Sequence, residues 1–203
     1  MIRNRIIVIG IFVVDLSFKS SNLPKPGETV IGSSYSIGPG GKGSNQCVAI
    51  SRCGGEVSFI GRIGDDQFGQ MGINLYESEN VNTDGLIIAK GEKTGSATIS
   101  IDKNGMNSII VVTGAASSLN NEMINQKINL FKNSSLLLTG FEIPIKVTEH
   151  SLILAKSKNM ITILNPAPYF YTNKDIYSLV DYLTPNEHEA SALTSINVKT
   201  IDD

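Results

Sequence analysis

From Gly38 to Gly43 the chain reads G-P-G-G-K-G, four glycines and a lysine in six residues, and it passes straight into S-N-Q-C-V-A-I-S-R-C, a run of helical character stopped by Gly54-Gly55. Glycines at that density let the backbone take positive φ and come close to a ligand, and a helix that begins beside them presents free N–H groups. Such a place suits oxygen-rich or anionic ligands, with a purely structural Gly-rich turn as the alternative. Gly38, Gly40 and Gly43 formally fit G-x-G-x-x-G, but a dinucleotide fold sets that motif directly after its first strand, and here two strand-like segments intervene. The Walker pattern fails because Lys42 is followed by Gly43 and not by Ser or Thr.

Three other spots carry polar groups in places where chemistry happens. Asn186 and Glu189 stand three apart behind Pro185, where a helix starts; that puts an amide and a carboxylate on one face, suited to a hydrated magnesium or a phosphate. A helix cap is the competing reading. Glu142 follows the apolar run S-S-L-L-L-T-G, so it lies past the carboxyl end of a strand, where open α/β sheets bind ligands; a surface charge in F-E-I-P is the alternative. Asp15 falls on the more polar side of the alternating stretch from Phe12 to Lys19. His188 has no second His or Cys cluster to make a zinc site, and His150 shares a stripe with Val147 and Leu154 that marks a core histidine.

The elements that must position these residues are legible in outline. Arg5 to Gly10 is a continuous apolar run, the pattern of a strand buried on both faces in a parallel sheet. Two-faced strands follow at Phe12 to Phe18 and Thr29 to Ile37, then a helix over Ser44 to Cys53, a strand at Val57 to Ile60 and a helix capped by Asp65 or Asp66. Leu86 to Val112 breaks the rhythm with a hairpin at Asn104-Gly105. After Asn120, which caps a helix carrying Ile124, Ile128 and Phe131, strands and helices alternate again to the last helix near Asn186. The expected architecture is one α/β domain over residues 1–203, with a discontinuous β lid from about 12–37 and 86–112.

Composition narrows the partners. A chain of 203 residues with 41% hydrophobic and 18% charged residues holds a sizeable core, and a net charge of −2 argues against a broad electrostatic footprint for nucleic acid or an acidic membrane. No apolar run is long enough for a membrane span, and M-I-R-N-R-I-I-V-I-G reads as a first strand and not as a signal sequence, so a cytoplasmic protein is expected. Cys47 and Cys53 sit six residues apart on a helix. That separation is about 9 Å, beyond disulfide reach, so both are expected to be small buried hydrophobes.

Taken together, these segments resemble the ribokinase (PfkB) family of carbohydrate kinases. The matching residues are G-x-x-x-x-D at Gly10 to Asp15, P-G-E-T-V at Pro26 to Val30, G-G-K-G-S-N-Q at Gly40 to Gln46, F-I-G-R-I-G-D-D-x-F-G at Phe59 to Gly69, Thr94-Gly95, L-N-P-A-P at Leu164 to Pro168 and T-P-N-E-x-E-A at Thr184 to Ala190. The resemblance implies a three-layer α/β/α sandwich with a small β-sheet lid, and ATP-dependent transfer of the γ-phosphoryl group to the primary hydroxyl of a pentose, with D-ribose first. It implies that Asp15, Gly41, Lys42, Asn45 and Glu142 bind the sugar hydroxyls. Asn186 would serve the nucleotide, Glu189 the magnesium, and the lid would pair two copies into a homodimer.

Two departures and one expectation about length qualify this. The family's asparagine two residues before the sugar-binding aspartate is Val13 here, and its G-A-N is Gly114-Ala115-Ala116, so a fructose or nucleoside kinase stays open beside a pentose kinase. One lost hydrogen bond is worth about 1 kcal/mol, roughly five- to tenfold in affinity. The family's G-A-G-D signature, with its catalytic aspartate, and the ligands of its monovalent cation are expected beyond Asp203. ATP and Mg2+ are therefore the expected cofactors of a longer enzyme, these 203 residues alone are expected to be inactive, and a shortened, non-catalytic sugar-binding or regulatory protein is the alternative class.

Overall fold

The computed structural model describes residues 5–170 and 173–200; the expected strand start at Met1 to Asn4 lies outside them. The elements run in the order β1 (Arg5–Ile9), β2 (Val13–Lys19), β3 (Ser34–Gly40), α1 (Lys42–Arg52), β4 (Val57–Gly64), α2 (Gln67–Ser78), β5 (Asn82–Ala89), β6 (Thr94–Ile101) and β7 (Asn107–Gly114). A 3-10 turn at Ala115–Ser118 leads to α3 (Asn121–Asn125), α4 (Ile128–Lys132), β8 (Ser134–Gly140), α5 (Ile145–Ser157) and β9 (Ile161–Asn165). A second 3-10 turn, Lys174–Leu179, precedes β10 (Tyr182–Leu183) and α6 (Glu187–Thr194).

A six-stranded, all-parallel sheet in the order β10-β9-β8-β1-β4-β5 forms the body. Its strands are apolar on both faces because both are covered. On β1, Ile7 and Ile9 enter one core with Leu137, Ile124, Phe131 and Leu152, whereas Val8 enters the other with Phe59, Cys47 and Tyr76. Alternation along a single strand thus feeds two helical layers, α3 to α5 on one side and α1 with α2 on the other. Tyr76 is fully buried, lies 4.8 Å from Phe59 ring to ring, and donates its hydroxyl to Ser44 at 3.0 Å, which pins α2 to the first turn of α1.

The second sheet has four strands, β3-β2-β6-β7, with β2 antiparallel to β3 and parallel to β6, and β6 antiparallel to β7. All four are rooted in the body at one end, near Val13, Gly40, Thr94 and Gly114. The root of β6 is held twice. Asp66 caps α2 through the Gly69 N–H and also accepts from the Thr94 N–H at 3.1 Å and the Thr94 hydroxyl at 2.7 Å. Arg62 on β4 donates to both oxygens of Glu92 at 2.7 Å, to the Ala115 carbonyl at 2.9 Å and to Ser118.

Several boundaries differ from the expected ones, each for a local reason. The second lid segment begins at Thr94, not near 86: residues 86–89 belong to β5, which pairs in register with Gly61–Gly64 in the body. The first segment continues past Ile37 to Gly40, because Pro39 and Gly40 pair with Val14 and Val13, while residues 29–33 lie outside any strand. The helix begins at Lys42, not Ser44. The Asn120-capped helix splits into α3 and α4. Cys47 is buried, with its thiol pushed by that burial up to about 12, but Cys53 is exposed at the end of α1. His150 bonds Asn125 at 2.7 Å but is only half-buried, at the edge of the core and not within it as expected.

Candidate functional site

The carboxyl ends of β1, β8 and β9 meet the start of α1 in a recess lined by Ile9, Gly10, Lys42, Gln46, Glu142 and Asn165. The local sequence dictates the shape. Gly41 caps α1 with φ +91°, a conformation that disfavours any residue with a Cβ, and its side-chain position is filled by the Ile11 carbonyl. A side-chain carbon at Gly40 would collide with the Asp15 carboxylate, so the glycine is what lets Asp15 from β2 lie against this strand.

Because Gly41 offers no side-chain oxygen, the first N–H of α1 finds its partner elsewhere. Glu142, 14% exposed, accepts the Lys42 N–H at 2.8 Å with one oxygen and the Lys42 ammonium at 3.0 Å with the other. The carboxylate thus serves as a distant helix cap and complements the positive end of α1. Lys42 itself is half-exposed.

Asp15 is half-buried, and no hydrogen bond from a described residue reaches its carboxylate. Burial, then the nearby Glu142 charge, holds its carboxyl above the ordinary 3.8. An acceptor without donors among the described residues, near a second carboxylate already paired with the Lys42 ammonium, is arranged to receive O–H donors, as a polyhydroxylated ligand offers.

The structure therefore brings Asp15, Gly41, Lys42 and Glu142 together. Asn45, one turn into α1, is exposed and lines a separate groove with Pro39, Val48 and Leu75. Asn186 and Glu189 form a capping box at the start of α6: the Asn186 side chain accepts from the Glu189 N–H at 2.9 Å, and Glu189 accepts from the Asn186 N–H at 2.9 Å and its amide at 3.2 Å. Both Glu189 oxygens are thus engaged and the residue is only 8% exposed; among the described residues no group of three or more His, Cys, Asp or Glu could hold a metal. Gln46 and Asn165 line the recess without having been given a role, although both lie in matched segments, G-G-K-G-S-N-Q and L-N-P-A-P.

A doubly covered parallel sheet, a second small sheet rooted beside its strand ends, and a recess lined by Lys42 and Glu142 at those ends define an α/β fold of the kind that binds ligands at its strand ends. The pfkB family carbohydrate kinase model matches residues 3–203, and the chain belongs to that family. It is 36% identical over 196 residues to a ribokinase of Haemophilus influenzae, covering 97% of this chain and 64% of the relative, and 37% identical over 188 residues to a ribokinase of Bacillus subtilis, covering 93% and 64%. The structure of Arabidopsis thaliana ribokinase complexed with ribose and ATP superposes with a TM-score of 0.88 at 26% identity, covering 100% of this chain and 66% of that one. The chain thus spans about two thirds of the length of these relatives. The three-layer sandwich with its small second sheet is the ribokinase-like fold.

Proposed function

We propose that this chain supplies the acceptor-binding part of an ATP-dependent sugar kinase that phosphorylates the primary hydroxyl of a pentose, D-ribose first. The observation that carries the reading is the Asp15 carboxylate, raised in pKa and without a donor among the described residues, near the Lys42–Glu142 pair. The relatives named ribokinase, and the one complexed with ribose and ATP, support the choice of sugar and of phosphoryl donor. Fructose and nucleosides are the competing acceptors. Asn45 would join the sugar contacts only by turning in from the separate groove that it lines, and Asn186 would lie toward the nucleotide. Magnesium would arrive with the ATP phosphates, and Glu189, its oxygens already occupied, would act on it only through water.

The β7 strand supports a homodimer through the lid. Ile109, Ile110, Val111 and Val112 are between 51% and 69% exposed, an apolar strip that a partner's lid would cover. Among the described residues no helix is long and apolar enough to cross a membrane.

Titration calorimetry of the chain with D-ribose, 2-deoxyribose, fructose and adenosine tests the acceptor reading. D-ribose is expected to bind most tightly; no heat with any of the four overturns it.

A further inference from the structure

The N-P-A-P break places Asn165 at the end of β9, where it lines the recess beside Lys42, Gln46 and Glu142. Its side-chain Nδ2 donates to the Thr184 carbonyl at 2.8 Å and lies 3.4 Å from the Thr184 hydroxyl. Two residues on, Asn186 opens the capping box of α6. On the other side, the Ala167 carbonyl accepts from the N–H of Phe141, the neighbour of Glu142, at 3.2 Å, and the Asn165 carbonyl packs against Gly140. Asn165 thus bonds the turn that presents Asn186 and Glu189 through its side chain, and lies against the strand end that presents Glu142 through its backbone.

The backbone alone holds that turn weakly. β10 has two residues, Tyr182 and Leu183, paired with Ile163 and Leu164, and two further bonds flank it, from the Asp181 N–H to the Thr162 carbonyl and from the Thr184 N–H to the Leu164 carbonyl, both at 3.0 Å. A ladder so short frays unless side chains extend it.

We propose that Asn165 is a positioning residue that fastens the Thr184 to Glu189 turn to the recess, so that filling the recess orders the turn. The anchoring stands on the contacts just described; the coupling rests on the sugar-binding reading.

The test is amide hydrogen exchange, read by NMR on the 203-residue chain with and without D-ribose, for wild type, Asn165→Ala and Asn165→Asp. Both variants are expected to speed exchange at the Asn186 and Glu189 amides about five- to tenfold, the worth of one net hydrogen bond, with the Val8 and Leu137 amides unchanged. Asn165→Asp keeps the volume but removes the donor, so a space-filling role would leave it like wild type. D-ribose is expected to slow exchange at Glu189 in wild type and not in either variant. Wild-type exchange rates in both variants overturn the anchoring, whether or not the sugar binds. Ribose that fails to bind wild type overturns the coupling together with the sugar reading, and ribose protection that survives in Asn165→Ala overturns the coupling alone.

Discussion

Asp15 holds a charge that the fold does not reward. Its raised carboxyl means the folded chain binds that proton more tightly than the unfolded chain, so stability falls as pH rises from the ordinary 3.8 through the folded value and is level above it. Asp15→Asn is therefore expected to leave the melting temperature unchanged or higher at neutral pH, while ribose affinity drops about 10- to 100-fold through loss of a charge-assisted hydrogen bond. A lower melting temperature with intact affinity would place Asp15 in the scaffold. Glu142→Gln removes the second cause of the shift but not burial, the larger one. NMR titration of Asp15 should show its pKa falling toward the ordinary range without reaching it, and an unchanged value would refute the assigned role of the Glu142 charge. At this scale the sequence was informative where spacing isolates a residue, as for Asp15 and Glu142. It marked Asn165 within L-N-P-A-P but gave it no role, and it was silent on the Lys42 N–H to Glu142 bond, because residues 100 positions apart meet only once the sheet order is known.

Asp66 and Arg62 act between elements, joining β4 and α2 to the roots of β6 and β7. Although burial pushes the Asp66 carboxyl up, hydrogen bonds from Thr94 and Gly69 outweigh it and hold the group below its ordinary value. Asp66→Ala loses a helix cap and two lid bonds, an expected cost of about 2 kcal/mol or about 4–8 °C in melting temperature. Calorimetry showing less than about a degree would mean the lid root is held without it. Asp181 does the same at the far edge, accepting from Lys156 at 2.7 Å and from the Thr162 N–H at 2.8 Å; the Lys156 bond first, then Thr162, takes it from 3.8 to about 2. The stability it confers is full above 3.8 and lost as pH falls toward about 2, so Asp181→Asn should flatten the acid limb of a urea-midpoint curve in that window. A limb as steep as wild type would assign the acid sensitivity to other carboxylates. The elements themselves were readable wherever apolar period and breakers agreed, as in β1, β8 and the Asn120 cap. Reading failed where composition and role diverge: β3 runs through Pro39-Gly40, which look like loop, and β5 borders the hairpin so closely that L-I-I-A passed for lid.

The molecule as a whole is a body with a projecting sheet whose outer strand shows apolar side chains to solvent. If the lid pairs two copies, Ile110→Lys, at a position 69% exposed, should convert a dimer to a monomer in sedimentation velocity without lowering the melting temperature of the monomer. A wild-type chain that sediments as a monomer at all concentrations would remove the lid from the list of interfaces. The rooting of all four strands at one end also sets a mechanical scale. Asp15 is the third residue of β2, about 7 Å from the fulcrum, whereas the far end of an eight-residue strand such as β7 stands about 25 Å away. A swing of about 10° would carry the tip about 4 Å but Asp15 only about 1 Å, from strand lengths alone. Any tilt of the sheet about its root would thus move the tip several times farther than Asp15, which sits beside the pivot.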